Sequence, residues 1–136
     1  MMRRVSKKTA ARIAECREFR AELVREVGHC ELCGHDPSLV NRLRQGRIAW
    51  ALHVHEIARG PHRMKALDKR FALLVVCYLC HEYRLSSRAE LPEARQLAAL
   101  LTSRPHDFDL PAFNALVGYG PRRITEEEVD AWRKGR

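Results

Sequence analysis

Four of the five cysteines fall into two short pairs, Cys30-Glu31-Leu32-Cys33 and Cys77-Tyr78-Leu79-Cys80. A pair with two residues between its thiols forms a knuckle that offers both sulfurs to one ion. Two knuckles supply the four soft ligands of a closed tetrahedral zinc site. The stretch from residue 34 to residue 76 must therefore leave one knuckle and return to the other, which predicts a hairpin between them. His53, His55, Glu56 and His81 are left over as candidates for a second, open metal site. The fifth thiol, Cys16, lies on the apolar face of a helical pattern and reads as a core residue. Met1-Met2-Arg3-Arg4 leads straight into that pattern, with nothing like an apolar signal segment. The expectation is zinc in a reducing, cytoplasmic setting rather than disulfides.

A chain of 136 residues fits one domain, 1–136, with one modest core. Lys and Arg number 25 against 17 Asp and Glu, a formal charge of +8 that points to an anionic partner, most commonly nucleic acid. At 46% hydrophobic residues the chain is not disordered throughout. No run approaches the ~18 apolar residues of a membrane span. The longest, Phe71 to Val76, fits a buried strand.

Three parts follow in order. Residues 1 to 8 read as a basic, frayed tail. In 9–28, Ile13, Cys16, Phe19, Leu23, Val24 and Val27 recur at spacings of three and four, which predicts a helix stopped by Gly28. Arg12, Arg17, Arg20 and Arg25 occupy its outer surface. The zinc-stapled part is 29–88. Gly34 closes the first knuckle in a positive-φ conformation. His35 is a loop residue, Asp36-Pro37-Ser38 a turn, and 39–49 a basic loop or short helix. Ile48 to Ile57 is one strand, with His53 and His55 on one face because side chains alternate. A basic connection, 58–70, carries Arg59, His62, Arg63, Lys65, Lys69 and Arg70 against the single acid Asp68. Phe71 to Val76 is the return strand, and Cys77 to about Ser87 a turn and a helix bearing His81.

The last part, 91–136, is helical. Leu91-Pro92 opens a helix whose face is Ala94, Leu97, Ala98, Leu100 and Leu101, with Pro92 in its first turn. A short helix from about Asp109 passes Phe113 and Leu116 and breaks at Gly118-Tyr119-Gly120-Pro121. Thr125-Glu126-Glu127-Glu128 is a capping box for a last helix docked by Val129 and Trp132. The expected fold class is small α+β.

The triplet His55-Glu56-Ile57 at a strand end, and Cys77-Tyr78-Leu79-Cys80-His81 at the start of a helix, resemble the HNH endonucleases. The resemblance covers roughly Cys30 to Arg84. In that family a strand ends in Asp-His-Ile or His-His-Ile, a loop follows, and a second strand leads into Cys-x-x-Cys-His and a helix. The resemblance implies a zinc-stapled ββα-metal finger, DNA as partner, and metal-dependent hydrolysis of a phosphodiester. It implies that His55 and His81 hold a catalytic divalent ion such as Mg²⁺, Mn²⁺ or Ni²⁺.

Two positions depart from the family pattern. Glu56 stands where the family has its general-base histidine, and Phe71 to Val76 lacks the usual Asn. Glu56 acts as base if burial raises its pKa; His53, on the same strand face as His55, is the other source of a base. The plainer readings are that Glu56 pairs with Arg59 or Arg63, that His53 is a half-buried strand residue, and that His81 shields the zinc. Arg59, His62, Arg63, Lys65, Lys69 and Arg70 lie where phosphate contacts are expected. The alternatives to a nuclease are a catalytically inactive zinc-ribbon DNA-binding protein on the same frame, or a structural zinc domain that docks on a protein.

Overall fold

The computed structural model describes residues 6–34, 51–81, 85, 91–118 and 123–135. The tail at 1–5, the expected turn and basic segment of 35–50, most of the helix expected after His81, and residues 119–122 lie outside the described residues. Within them the fold is mixed: a two-stranded antiparallel sheet, helices, and a cluster of four cysteines. No described helix is long and apolar enough to cross a membrane.

The first helix, α1, spans Lys7–Val27. It begins two residues earlier than the apolar pattern suggests, because the Ser6 hydroxyl accepts the Thr9 amide and caps the first turn. Gly28 ends it in the left-handed conformation, φ 71°, as expected. Cys16 is buried.

Strand β1, Leu52–Glu56, pairs antiparallel with β2, Leu73–Cys77, so that His53 faces Val76 and His55 faces Leu74 across the ladder. Alternation divides the sheet into two faces. Leu52, Val54, Leu73 and Val75 pack against Phe19, Leu23, Val24 and Val27 of α1. Leu74 and Val76 join the main core on the other face, the face that also carries His53 and His55. Every residue of β2 is buried, which is why it reads as an unbroken apolar run.

The return strand starts later than Phe71. Ala72 donates its amide to Lys69 O and folds Arg70–Ala72 into a short 3₁₀ turn. The basic connection is likewise wound, as a 3₁₀ helix over Gly60–Ala66.

Helix α2 spans Glu93–Ser103, α3 Leu110–Val117 and α4 Glu126–Lys134. Pro92 is the N-cap of α2 rather than part of its first turn. Asp109 caps α3, and Thr125 caps α4 by accepting the Glu128 amide. α2 packs on β2 and α4, and α3 packs on the two 3₁₀ segments. Leu97, Leu100 and Phe113 are fully buried there, and each such burial stabilises the fold by about 1.5–3 kcal/mol. Val129 docks α4; Trp132 stays 38% exposed beneath the Arg95 guanidinium.

A two-stranded sheet leaves both edges unpaired, and charged side chains close them here. On the β1 side Arg20 donates to Val54 O at 3.0 Å. On the β2 side the Glu31 amide donates to Val75 O and the Glu31 carboxylate accepts the Val75 amide, both at 2.8 Å. The first cysteine knuckle is thereby bonded to the strand edge.

Arg104 holds Glu31 in place, at 2.9 and 3.1 Å to its two carboxylate oxygens, and also donates to Leu73 O and to Asp107. The Glu31 side chain is fully buried and that of Arg104 is 5% exposed. Removing one partner of such a pair strands a charge in the interior. Arg104→Met is expected to destabilise the protein by about 3–5 kcal/mol, read as a lower urea midpoint. An unchanged midpoint would remove this pair from the account of stability.

Candidate functional site

The four thiols of Cys30, Cys33, Cys77 and Cys80 converge, with all sulfurs within 4.8 Å of one another. Among the described residues no other group of three or more His, Cys, Asp or Glu donors comes so close together. Two local features bring them there. The first knuckle closes with Gly34 at φ 79° and its amide on Cys30 O at 2.8 Å. The second begins on the last residue of β2 and continues into a helical turn that carries Cys80 and His81.

The spacing fits a metal ion such as zinc. Zn–S bonds of about 2.3 Å arranged tetrahedrally separate the sulfurs by roughly 3.8 Å. Cys33 Sγ and Cys77 Sγ lie 3.8 Å apart, and all five cysteines are free thiols. The electrostatics agree. The Cys80 thiol's hydrogen bond, joined against burial by the Cys33, Cys77 and Leu32 amides, draws Cys30 down to about 4. The same Cys30 thiolate pushes Cys80 up. Without a cation, ionising one thiol opposes ionising the next; a dication permits all four.

A cleft of about 640 Å³ opens beside this cluster, and His53, His55, Glu56, Arg59, Arg63 and His81 are among the residues that line it. The hairpin supplies His53 and His55, and the turn after β2 supplies His81. The His55 and His81 rings are 5.5 Å apart edge to face, and those of His53 and His81 6.1 Å apart and stacked. His55 Nε2 lies 3.0 Å from Gln96 Oε1. Burial, followed by the neighbouring His81, depresses the His55 pKa to about 4 against that hydrogen bond, so the imidazole is neutral at pH 7. A neutral imidazole is the form that binds metal.

Glu56 occupies the opposite face of β1. Its carboxylate accepts Arg20 at 2.6 Å and Arg63 at 3.2 and 3.1 Å. Burial alone would raise its pKa, but the hydrogen bonds and charges of Arg20 and then Arg63 outweigh it and hold the carboxyl below the usual range. Arg20, which reads as outer helix surface in the sequence, is the stronger partner, and Arg59 is not one. Arg59 donates instead to Leu91 O at 3.5 Å.

The basic connection divides. Arg59 and Arg63 line the cleft; His62, Lys65, Lys69 and Arg70 do not. Arg70 is bound into the fold by Asp107 and Glu26, and Lys69 pairs with Asp68 at 3.5 Å. Three residues of the site went unremarked in the sequence as partners: Arg20, Gln96 and Arg104. Their charged or ring partners Glu56, His55 and Glu31 lie 36, 41 and 73 positions away, beyond any local pattern. No family profile, curated protein or solved structure matches this chain.

Two outcomes test the site. Cys77→Ser is expected to release one zinc equivalent and to lower the melting temperature sharply, since binding joins two knuckles distant in sequence. A zinc-free wild type that melts like the holo form would contradict this. The second outcome concerns protonation. An unfolded histidine takes its proton near ~6.5, whereas His55 refuses it until about pH 4. Stability thus falls as pH drops between those values. Ring NMR signals of His55 should remain those of neutral imidazole at pH 5, and a midpoint near 6.5 would contradict its burial.

Proposed function

We propose that the protein is a metal-dependent endonuclease of HNH type that hydrolyses DNA phosphodiester bonds, with His55 and His81 holding the divalent ion. The observation that carries this reading is the approach of those two imidazole rings, 5.5 Å apart, over the hairpin face that carries His53 and His55, with His81 fixed by the neighbouring cysteine cluster. A divalent ion there would offset charge on the attacked phosphate and on the departing 3′ oxygen.

The chain's own groups do the rest. His53 accepts the proton of the attacking water, because its imidazole shares the cleft with His55 and His81. Glu56 is a weak base: both of its oxygens are engaged by guanidinium groups. Its part is to hold Arg63, whose side chain is 63% exposed, at the rim where a phosphate would pass. Arg59 adds positive charge at the same wall. The same lock on Glu56 favours a second reading, a DNA-binding protein on this frame that does not cut.

Nicking of supercoiled plasmid in Mg²⁺, Mn²⁺ and Ni²⁺ separates the two. His55→Ala and His81→Ala are expected to abolish nicking while zinc stays bound. His53→Ala should cost about two to four orders of magnitude, and Glu56→Gln far less. A Glu56→Gln loss as large as that of His53→Ala would return the base to Glu56. Wild type that binds DNA but nicks with no ion selects the non-cutting reading, and His55→Ala that nicks like wild type overturns the site.

A further inference from the structure

Gln96 is a polar side chain of α2, at the edge of its apolar face beside Leu100, and only 1% exposed. An amide is taken out of water at such a place only when its hydrogen bonds are made there. Both are made. Gln96 Nε2 donates to Leu91 O at 2.9 Å, and Gln96 Oε1 sits 3.0 Å from His55 Nε2.

The chemistry of these two bonds has one direction. A backbone carbonyl accepts and cannot donate, so the NH₂ end of Gln96 must face Leu91 and the oxygen end must face His55. An oxygen acceptor requires a proton on His55 Nε2. A neutral imidazole carries one proton, so the lone pair of His55 is on Nδ1. The ring cannot reverse these roles without leaving the Gln96 oxygen against a second lone pair.

We propose that Gln96 is a positioning residue that fixes the tautomer of His55 and so makes Nδ1 the atom through which His55 takes a divalent cation. This rests on the metal reading of His55 and His81 given above. It adds a residue from α2, outside the hairpin and the cysteine knuckles, to the parts that a metal-binding cleft needs. It also gives a reason for α2 to bury a glutamine as deeply as Leu97 and Leu100.

The test uses the zinc-loaded chain with ¹⁵N-labelled histidine. NMR at neutral pH, before any second ion is added, reads which nitrogen of His55 is protonated; calorimetry with Ni²⁺ then reads affinity. Wild type should show Nε2–H. Gln96→Met, of similar length and apolar, should populate both tautomers and bind Ni²⁺ about 10–100-fold more weakly. The tautomer of wild type, read without any substitution, covers the case that Gln96→Met folds poorly. A wild-type His55 protonated on Nδ1, or a Gln96→Met variant with unchanged tautomer and affinity, overturns the proposal. If Ni²⁺ leaves the His55 and His81 signals of wild type unmoved, the cation half falls together with the proposed function. The tautomer, recorded earlier, still decides on Gln96 by itself.

Discussion

Four thiol sulfurs held within one small volume repel one another as they ionise, and a cation is what allows them to stay together. In this chain that constraint reaches outward through covalent neighbours. Cys77 is the last residue of β2, Cys80 is next to His81, and Glu31 lies between the first two cysteines. Whatever closes the cluster therefore also sets where β2 ends, where His81 stands, and how the first knuckle meets the sheet. Glu31 transmits it further, by bonding the Val75 amide and Arg104. The candidate site depends on this frame because its two imidazoles come from different elements.

The charges sort by depth rather than by sign. Arg104, Arg70 and Arg20 are bound to carboxylates and backbone carbonyls, and they hold elements together. Arg63 is shared: Glu56 fixes one side of its guanidinium, and the rest faces outward. The formal charge of +8 already nets these pairs out, so the excess of positive charge lies with other side chains. What remains near the cleft is concentrated at Arg59 and Arg63, beside neutral His55. The result is a cleft with cationic walls beside a neutral imidazole.

The sequence is legible where the cause is local. Spacing of three and four marks α1, alternation marks the shared face of His53 and His55, and the cysteine pairs mark the cluster. Ser6 and Arg70–Ala72 shift boundaries by two residues because caps and 3₁₀ turns are decided by single hydrogen bonds. The partners of Glu56, Glu31 and His55 were not legible. Arg20 and Gln96 lie on helices and Arg104 just past the end of one, where the residue types fit ordinary surface or face positions, and only the packing of α1 and α2 on opposite faces of the sheet delivers them. Glu56 shows the consequence: its place in the triplet suggests a base, while its neighbours make it an anchor for arginine.

The central claim is that one chain holds two metal positions of different chemistry: a closed thiolate cluster that fixes the frame and an open imidazole pair that faces the cleft. Anomalous diffraction from crystals of the zinc-loaded protein soaked in Ni²⁺, recorded at both absorption edges, tests it most directly. The account predicts zinc signal at the four sulfurs alone and nickel signal between His55 and His81. Nickel absent from the histidines, or zinc absent from the cysteines, would contradict it.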